Sequence, residues 1–352
     1  MIEFAKNVML SATSGVYSKI IIVNPADSWS LYWDAMYLEK VLSSVGLSPV
    51  VGKWQGVFCQ TVFYVSKYML VKPRWHLHGM NRVTLAYYHG YPGTGSEMFD
   101  RCYATVKKYH EKISRIQVTH AKMHEYILDT GIDERKIRRI YIAVDTSAFI
   151  PVTPEARNAV RKALGVPESA VVVGSFQKDG EGWGGGDTPK AIKGPDIFVD
   201  AMRRLKADVP ELHVLLTGPA RGFVKAGLAA ARIPFTHVFL DDYRSLPPMY
   251  HALDAYLVSS REEGGPKAVL ESMASGVPLV TTPVGQASEL VRDGQNGLLA
   301  TGYSAEELSC LCRKVLLDTS LRERLVGNGL STAASNSYDS QGEVWKHFFD
   351  LD

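Results

Sequence analysis

Short apolar runs alternate with longer stretches of helical period along the first 150 residues of this chain. Residues 19–23, 48–51, 61–65, 82–88, 116–119 and 139–144 are rich in β-branched and aromatic side chains and predict strands. Residues 33–45, 96–113 and 122–130 repeat their apolar positions every three to four residues and predict helices, with Gly46 ending the first. Turn chemistry, Asn24-Pro25-Ala26-Asp27-Ser28, separates the first strand from its helix. Residues 1–18 show no readable period. The pattern breaks at Asp145-Thr146-Ser147-Ala148-Phe149, with Pro151 and Pro154 behind it, and then restarts. Strands are predicted at 170–174, 212–218, 238–240, 255–258 and 277–282, with a helix over 196–205. Such alternation in both halves predicts two doubly wound parallel sheets, which bind ligands beyond the carboxyl ends of their strands. The final stretch, 338–349, places Val344, Trp345, Phe348 and Phe349 at helical spacing.

Residues 259–276 concentrate the chemistry. The strand at 255–258 leads into Glu263-Gly264-Gly265-Pro266-Lys267, then a short run of helix formers through Glu271, then Met273-Ala274-Ser275-Gly276-Val277-Pro278-Leu279-Val280. Pro266 is expected at the first helical position, where its fixed φ helps and its missing N–H is no loss. Gly276 is expected to end the helix in a left-handed conformation. Two glycines let the backbone approach a ligand, and the helix start offers free N–H groups at the positive end of the dipole. That is a place to hold a diphosphate. The plainer reading is a surface helix with an ordinary Lys267–Glu271 pair.

The Glu263-x7-Glu271 frame and its sequel resemble the retaining glycosyltransferases of family 4. The resemblance implies an α/β GT-B fold, two Rossmann-like doubly wound parallel-sheet domains facing a cleft. Residues 1–150 would form an acceptor-side domain, with a helix over about 337–352 crossing back onto it. Residues 151–336 would bind the nucleotide sugar. Residues 140–149 resemble the family's link between domains, although its usual Asn-Gly is Ile142-Ala143 here. By the same resemblance Glu263 faces the donor sugar, Glu271 holds the ribose, and Gly264, Gly265, Pro266 and Lys267 form the donor turn. Lys193-Gly194 matches the family's Lys-Gly and would set a cation on the diphosphate. The family's Arg is replaced by Gln177 or Lys178. A longer insertion follows over 179–192, with Gly180, Gly182, Gly184, Gly185 and Gly186, and by itself it reads as a mobile surface loop. His89 would face the transferring sugar and Tyr243 would lie near the base, although each also fits a structural role. Ser28 and Trp29 would face the same cleft.

Composition narrows the partners. The chain has 352 residues, 46% hydrophobic and 22% charged, enough for two cores of ordinary size. A net charge of +2 points to no nucleic-acid partner. Cys59, Cys102, Cys310 and Cys312 show no metal or redox spacing. No apolar run reaches the ~18 residues of a membrane span, and residues 1–9 lack the apolar core of a signal peptide. A cytoplasmic protein is expected, with the inner face of the membrane as a second possibility. Residues 63–82 carry Tyr64, Lys67, Tyr68, Lys72, Arg74, Trp75, His76 and His78, which fit either a peripheral membrane contact or a buried strand with a solvated connection.

The implied reaction moves a sugar from a nucleotide-sugar donor to a hydroxyl of a sugar, glycan or lipid-linked acceptor. It would proceed with retention, in glycan, cell-envelope polysaccharide or glycolipid synthesis, with His89, Glu263 and Lys193 as the catalytic set. No cofactor and no metal is expected. The only Asp-x-Asp, Asp350 and Asp352, reads as chance. Two other readings stay open: an epimerase or phosphorylase on the same fold, and a non-catalytic nucleotide-sugar-binding subunit.

Overall fold

The computed structural model describes residues 2–24, 30–71, 80–182 and 184–350. Ser28, Trp29, Lys72, Arg74, Trp75, His76, His78 and Asp352, singled out above, lie outside the described residues. The chain divides into two compact units between Ile142 and Ala143, and residues 338–352 return to the first. The first unit runs α1 (Ile2–Thr13), β1 (Ile20–Val23), α2 (Ser30–Ser44), β2 (Pro49–Gly52), β3 (Thr61–Tyr64), β4 (Arg82–Ala86), α3 (Glu97–Tyr109), β5 (Ile113–Val118), α4 (Ala121–Leu128) and β6 (Ile137–Arg139). Its sheet is wholly parallel in the order β2-β1-β3-β4-β5-β6.

The second unit opens with α5 (Pro154–Ala163), β7 (Val171–Ser175), α6 (Pro195–Asp208), β8 (Leu212–Thr217), α7 (Gly222–Ala230), β9 (Phe235–Val238) and α8 (Pro247–His251). It continues through β10 (Ala255–Val258), α9 (Lys267–Ala274), β11 (Leu279–Thr281), α10 (Ala287–Leu290), β12 (Leu298–Leu299), α11 (Ala305–Leu317) and α12 (Thr319–Ser335). These strands form a second parallel sheet, β12-β11-β10-β7-β8-β9. The tail helix α13 (Gly342–Phe349) belongs to the first unit.

Strand alternation explains how the first sheet is covered on both faces. Ile20 and Ile22 point into one core with Phe63, Ala86 and the tail's Trp345, Phe348 and Phe349. Ile21 and Val23 point into the other, with Val62, Leu85, Ile116 and the α3–α4 side chains Val106 and Met123. The tail therefore supplies one wall. Phe63 meets the rings of Trp345, Phe348 and Phe349 edge-on at 5.6, 5.8 and 5.7 Å. Upstream, Tyr338 donates to Asp34 Oδ1 at 2.6 Å and stacks on Tyr37.

Several boundaries differ from the expectation, for one reason: strand pairing outranks local period. The helix expected to reach Ile113 stops at Tyr109, because Ile113 pairs with Val83 and is fully buried. β6 ends at Arg139, where a strand was expected to begin, since Ile137 is the residue beside Ile116. β9 covers 235–238 rather than 238–240, in register with β8. The helix α1 lies where no period was readable. Among the described residues no helix is long and apolar enough to cross a membrane.

Candidate functional site

Two turns of the second unit meet at the carboxyl ends of β7 and β10. After β10 the chain passes Ser259 and Ser260, both buried, and reaches Glu263. After β7 it passes Gln177, then the glycine-rich insertion, then a short 3-10 turn ending in Lys193. Backbone bonds join the two segments. The N–H groups of Arg261 and Glu262 donate to the Ile192 carbonyl at 2.8 and 3.0 Å, and Gln177 Nε2 donates to the Lys193 carbonyl at 3.1 Å. Gly194 is the hinge of this contact. It sits at φ +61°, and a Cβ there would lie 2.0 Å from the Ser259 carbonyl oxygen. Only glycine lets the start of α6 come this close.

The result is a charged pair inside a polar frame. The Lys193 ammonium contacts Glu263 Oε1, with side chains 21% and 14% exposed. Ser260 Oγ lies 3.2 Å from that same carboxylate oxygen and 3.2 Å from Gln177 Oε1, and its one proton is shared between these two acceptors. Gln177 thus braces Lys193 through the backbone and Ser260 through its amide oxygen, and brings no charge of its own. Outside the pair, Arg261 clamps Asp196 with two bonds of 2.8 and 2.6 Å, tying the same loop to the first turn of α6.

Glu271 occupies a separate pocket one helix further on. It is 3% exposed, and each carboxylate oxygen takes a tyrosine hydroxyl: Tyr243 on Oε1, Tyr250 on Oε2 at 2.8 Å. Burial, reinforced by the Glu271 charge, holds the Tyr250 hydroxyl protonated far above its ordinary range. Lys267 lies 4.7 Å over the Tyr243 ring. Tyr243 is therefore beside Glu271, and the surface-helix reading of Glu271 does not hold. Pro266 caps α9 and Lys267 begins it, so the proline stands one position earlier than expected, at φ −60° and ψ 112°. That extended ψ turns Gly264 and Gly265 away from the helical path, and the Gly264 carbonyl accepts from Gln286 N–H at 2.9 Å.

The insertion is no loose loop. Its Asp179 forms a fully buried ion pair with Arg221 at 3.0 Å. Arg221 also donates to the carbonyls of Ser175, Gln177 and Thr217 at 2.7, 2.7 and 2.9 Å. Burial pushes the Asp179 carboxyl up and the Arg221 guanidinium down, against their mutual attraction. The carbonyls of Gly185 and Gly186 cap the N–H groups of Gly222 and Phe223 at the start of α7. At Gly186, φ +77°, a Cβ would meet the Ala220 carbonyl carbon at 2.2 Å. Arg221, from the next βα turn, thus spends its guanidinium on this backbone. Lys178 has Lys190 and Glu181 as electrostatic neighbours, and burial with the Lys190 charge holds its ammonium below the ordinary value.

Arg221, Asp179, Ser260 and Tyr250 were not legible as site residues. Arg221 stands at the N-cap of α7, where a cation opposes the helix dipole and needs a reason to be there. In the first unit, His89 follows β4 by three residues and is half-buried. Its Nε2 lies 3.2 Å from Tyr68 Oη, and the Phe99 ring meets it edge-on at 5.7 Å. Among the described residues no cluster of three or more His, Cys, Asp or Glu side chains forms a metal-binding group.

Residues 189–332 match the family described as Glycosyl transferases group 1. The chain is 31% identical over 205 residues to the lipopolysaccharide core biosynthesis mannosyltransferase LpsB of Rhizobium meliloti, a span of 55% of this chain and 54% of that protein. It is 32% identical over 216 residues to a D-inositol 3-phosphate glycosyltransferase of Geodermatophilus obscurus, covering 54% of this chain and 44% of the relative. The chain thus spans about half the length of the curated relatives it matches. Among solved structures it resembles Anabaena HepE in complex with UDP and glucose, with a TM-score of 0.74, 16% identity, and 94% and 98% of the two chains covered. It also resembles the sucrose-phosphate synthase of Thermosynechococcus elongatus, with a TM-score of 0.75, 15% identity, and 95% and 100% covered. With its two six-stranded parallel sheets, each flanked by helices, the chain has the two-domain α/β fold known as GT-B.

Proposed function

We infer that this protein is a glycosyltransferase that moves a sugar from a nucleotide-sugar donor to an acceptor hydroxyl with retention of configuration and without a metal. The observation that carries the reading is the Lys193–Glu263 pair, set beside the Gly264-Gly265 turn at the carboxyl ends of β7 and β10. The match to Glycosyl transferases group 1 supports it, since it spans Lys193, Glu263 and Glu271. So do the glycosyltransferase relatives and the UDP complexes of HepE.

Each residue then has a role. A diphosphate arriving at the turn draws the Lys193 ammonium away from Glu263, because the new anion carries more charge than one carboxylate. Glu263, released, accepts hydrogen bonds from the donor sugar. Glu271, fixed by Tyr243 and Tyr250, accepts the ribose hydroxyls. Gly264, Gly265, Pro266 and Lys267 border the phosphates. As the bond from the anomeric carbon to the diphosphate oxygen breaks, negative charge grows on that oxygen, where Lys193 gains most. The acceptor oxygen bonds to the anomeric carbon on the same face, and its proton passes to the leaving phosphate. The acceptor is a sugar, glycan or lipid-linked molecule.

The test has two steps. A thermal-shift panel of UDP, GDP, ADP and their sugars identifies the donor class, since a ligand that binds only the folded state raises Tm. The radiolabelled donor is then incubated with candidate acceptors, and the anomeric configuration of the product is read by NMR. A product of retained configuration supports the reading. An epimerised donor, or an inverted product, overturns it.

A further inference from the structure

The first helix of the chain has its polarity inside out. α1 packs against the loop that follows the edge strand β2, and the side chains it turns to this loop are polar. Asn7 is buried, and its Nδ2 donates to the carbonyls of Lys53 and Gln55 at 2.6 and 2.9 Å. Ser11, also buried, accepts at Oγ from the Phe58 N–H at 3.2 Å. On the same side Leu10 packs against the core of the sheet. The opposite face is apolar. Ile2, Phe4, Ala5, Val8, Met9 and Ala12 are all exposed, Ile2 to 77% and Met9 to 71%. At about 100° per residue they share an arc of roughly 160°. An amphipathic helix of a globular domain turns such a stripe to the core.

The charges beside this face are mostly of one sign. Segments 2–19 and 48–60, which pack together here, contain Lys6, Lys19 and Lys53 against a single carboxylate, Glu3. Glu3 is half-buried, and its Oε1 lies 3.3 Å from where a Cβ on Gly52 would stand, so it turns toward β2. Lys6 and Lys53 are exposed. Lys6 follows Ile2 by one helical turn and borders the apolar arc. This charge decides between occupants. A second copy docked through the same face would be related by a twofold axis, and Lys6, near the middle of α1, would meet its own counterpart. Like charges set together in a contact oppose it. A bilayer surface with anionic lipids takes the apolar arc and the lysines at once.

We propose that α1 seats the first unit on a membrane surface carrying anionic lipids, with Ile2, Phe4, Val8 and Met9 at the boundary of headgroups and acyl chains and with Lys6 and Lys53 against lipid phosphates. The helix has 12 residues. That makes it about 18 Å long, too short for the roughly 30 Å of hydrocarbon, so it lies along the surface. Such a helix binds through its apolar area together with attraction to anionic lipid, and the attraction weakens with salt. Asn7 and Ser11 hold it to the unit from behind while the apolar arc enters the lipid. Of the aromatic and basic stretch 63–82, Tyr64 and Lys67 are buried and offer nothing to a bilayer. Because α1 belongs to the first unit and Lys193, Glu263 and Glu271 to the second, docking and sugar transfer are measured apart.

The full chain is co-sedimented with phosphatidylcholine vesicles made with and without phosphatidylglycerol, at low and at high salt. It should bind the anionic vesicles, and salt should weaken the binding. Ile2→Glu and Met9→Glu put a charge into the apolar arc at exposed positions and should each weaken binding about tenfold or more. Ile2→Glu also favours the helix, because position 2 lies in its first turn, so its effect is not the loss of α1. Lys6→Glu should weaken binding by about the same factor. It leaves the apolar arc intact and keeps the test valid should a variant in the arc fail to fold. Without vesicles, each variant should keep the wild-type melting temperature. Sedimentation velocity tests the other occupant: a wild-type dimer that Met9→Glu dissociates assigns the face to a second copy and overturns the proposal. Binding to neither vesicle, equal binding to both, or binding that all three variants leave unchanged overturns it as well.

Discussion

At the scale of single residues the Lys193–Glu263 contact sets the outcome of each substitution. Glu263 competes with an incoming diphosphate for the same ammonium. Removing the competitor should leave affinity for the free nucleoside diphosphate unchanged or tighter, while turnover collapses. Glu263→Ala is therefore expected to separate the two readouts, measured by calorimetry and by initial rate. A collapse of diphosphate affinity would place Glu263 in the nucleotide's own shell. Lys193→Ala should behave differently, lowering kcat more than it raises the donor Kd, because charge on the leaving oxygen peaks in the transition state. Activity should also persist in EDTA. If EDTA abolishes turnover and magnesium or manganese restores it, the Lys193 assignment fails. Glu271→Gln keeps the shape of a side chain bonded to Tyr243 and Tyr250 but loses its charge. Charge-assisted hydrogen bonds contribute about 1.5–3 kcal/mol each, so nucleotide affinity should drop tenfold or more with the melting temperature little changed.

At the scale of elements, the insertion after β7 depends on a buried ion pair. Breaking such a pair from one side leaves an uncompensated charge and costs about 3–5 kcal/mol. Arg221→Met should destabilise the second unit by that order in urea titration, and it should loosen residues 179–190 toward protease. Adding Asp179→Asn should recover part of the loss, since both charges are then gone. If the single variant unfolds like the wild type, the pair is not what holds the insertion. Three histidines of the same unit add a pH dependence. Burial lowers the folded pKa of His213, His237 and His251, against weaker opposition from carbonyl bonds at His237 and His251. Their unfolded pKa is about 6.5, so the unfolded chain takes up protons first as pH falls. The stability they confer is present above that pH and is lost progressively below it. Denaturation midpoints should decline from pH 7 to 5, and His237→Gln should flatten the decline.

At the scale of the whole molecule, the tail completes the first unit rather than trailing from the second. Trp345, Phe348 and Phe349 bury their rings around Phe63 in the sheet's core. Trp345→Ala should cost about 3–5 kcal/mol and lower the first unit's denaturation midpoint, a loss that Trp345→Phe should largely avoid. Much of this architecture was legible beforehand. Apolar runs separated by helical period announced two parallel sheets, because a strand buried on both faces must be apolar throughout. Glu263, Gly264, Gly265 and Glu271 stood out because strand, glycine turn and helix follow one another within some twenty residues. Contacts between residues distant in sequence were not legible. No local pattern announces that Lys193 meets Glu263 across 70 positions, that Tyr243 and Tyr250 hold Glu271, or that Arg221 braces the loop before it. Nor does one reveal Arg115 facing the tail 232 residues away. Periodicity records which face of an element is buried. The partner that buries it is chosen only when the sheets close, and there the tertiary structure decided the charges, the hydrogen bonds and the ends of the strands.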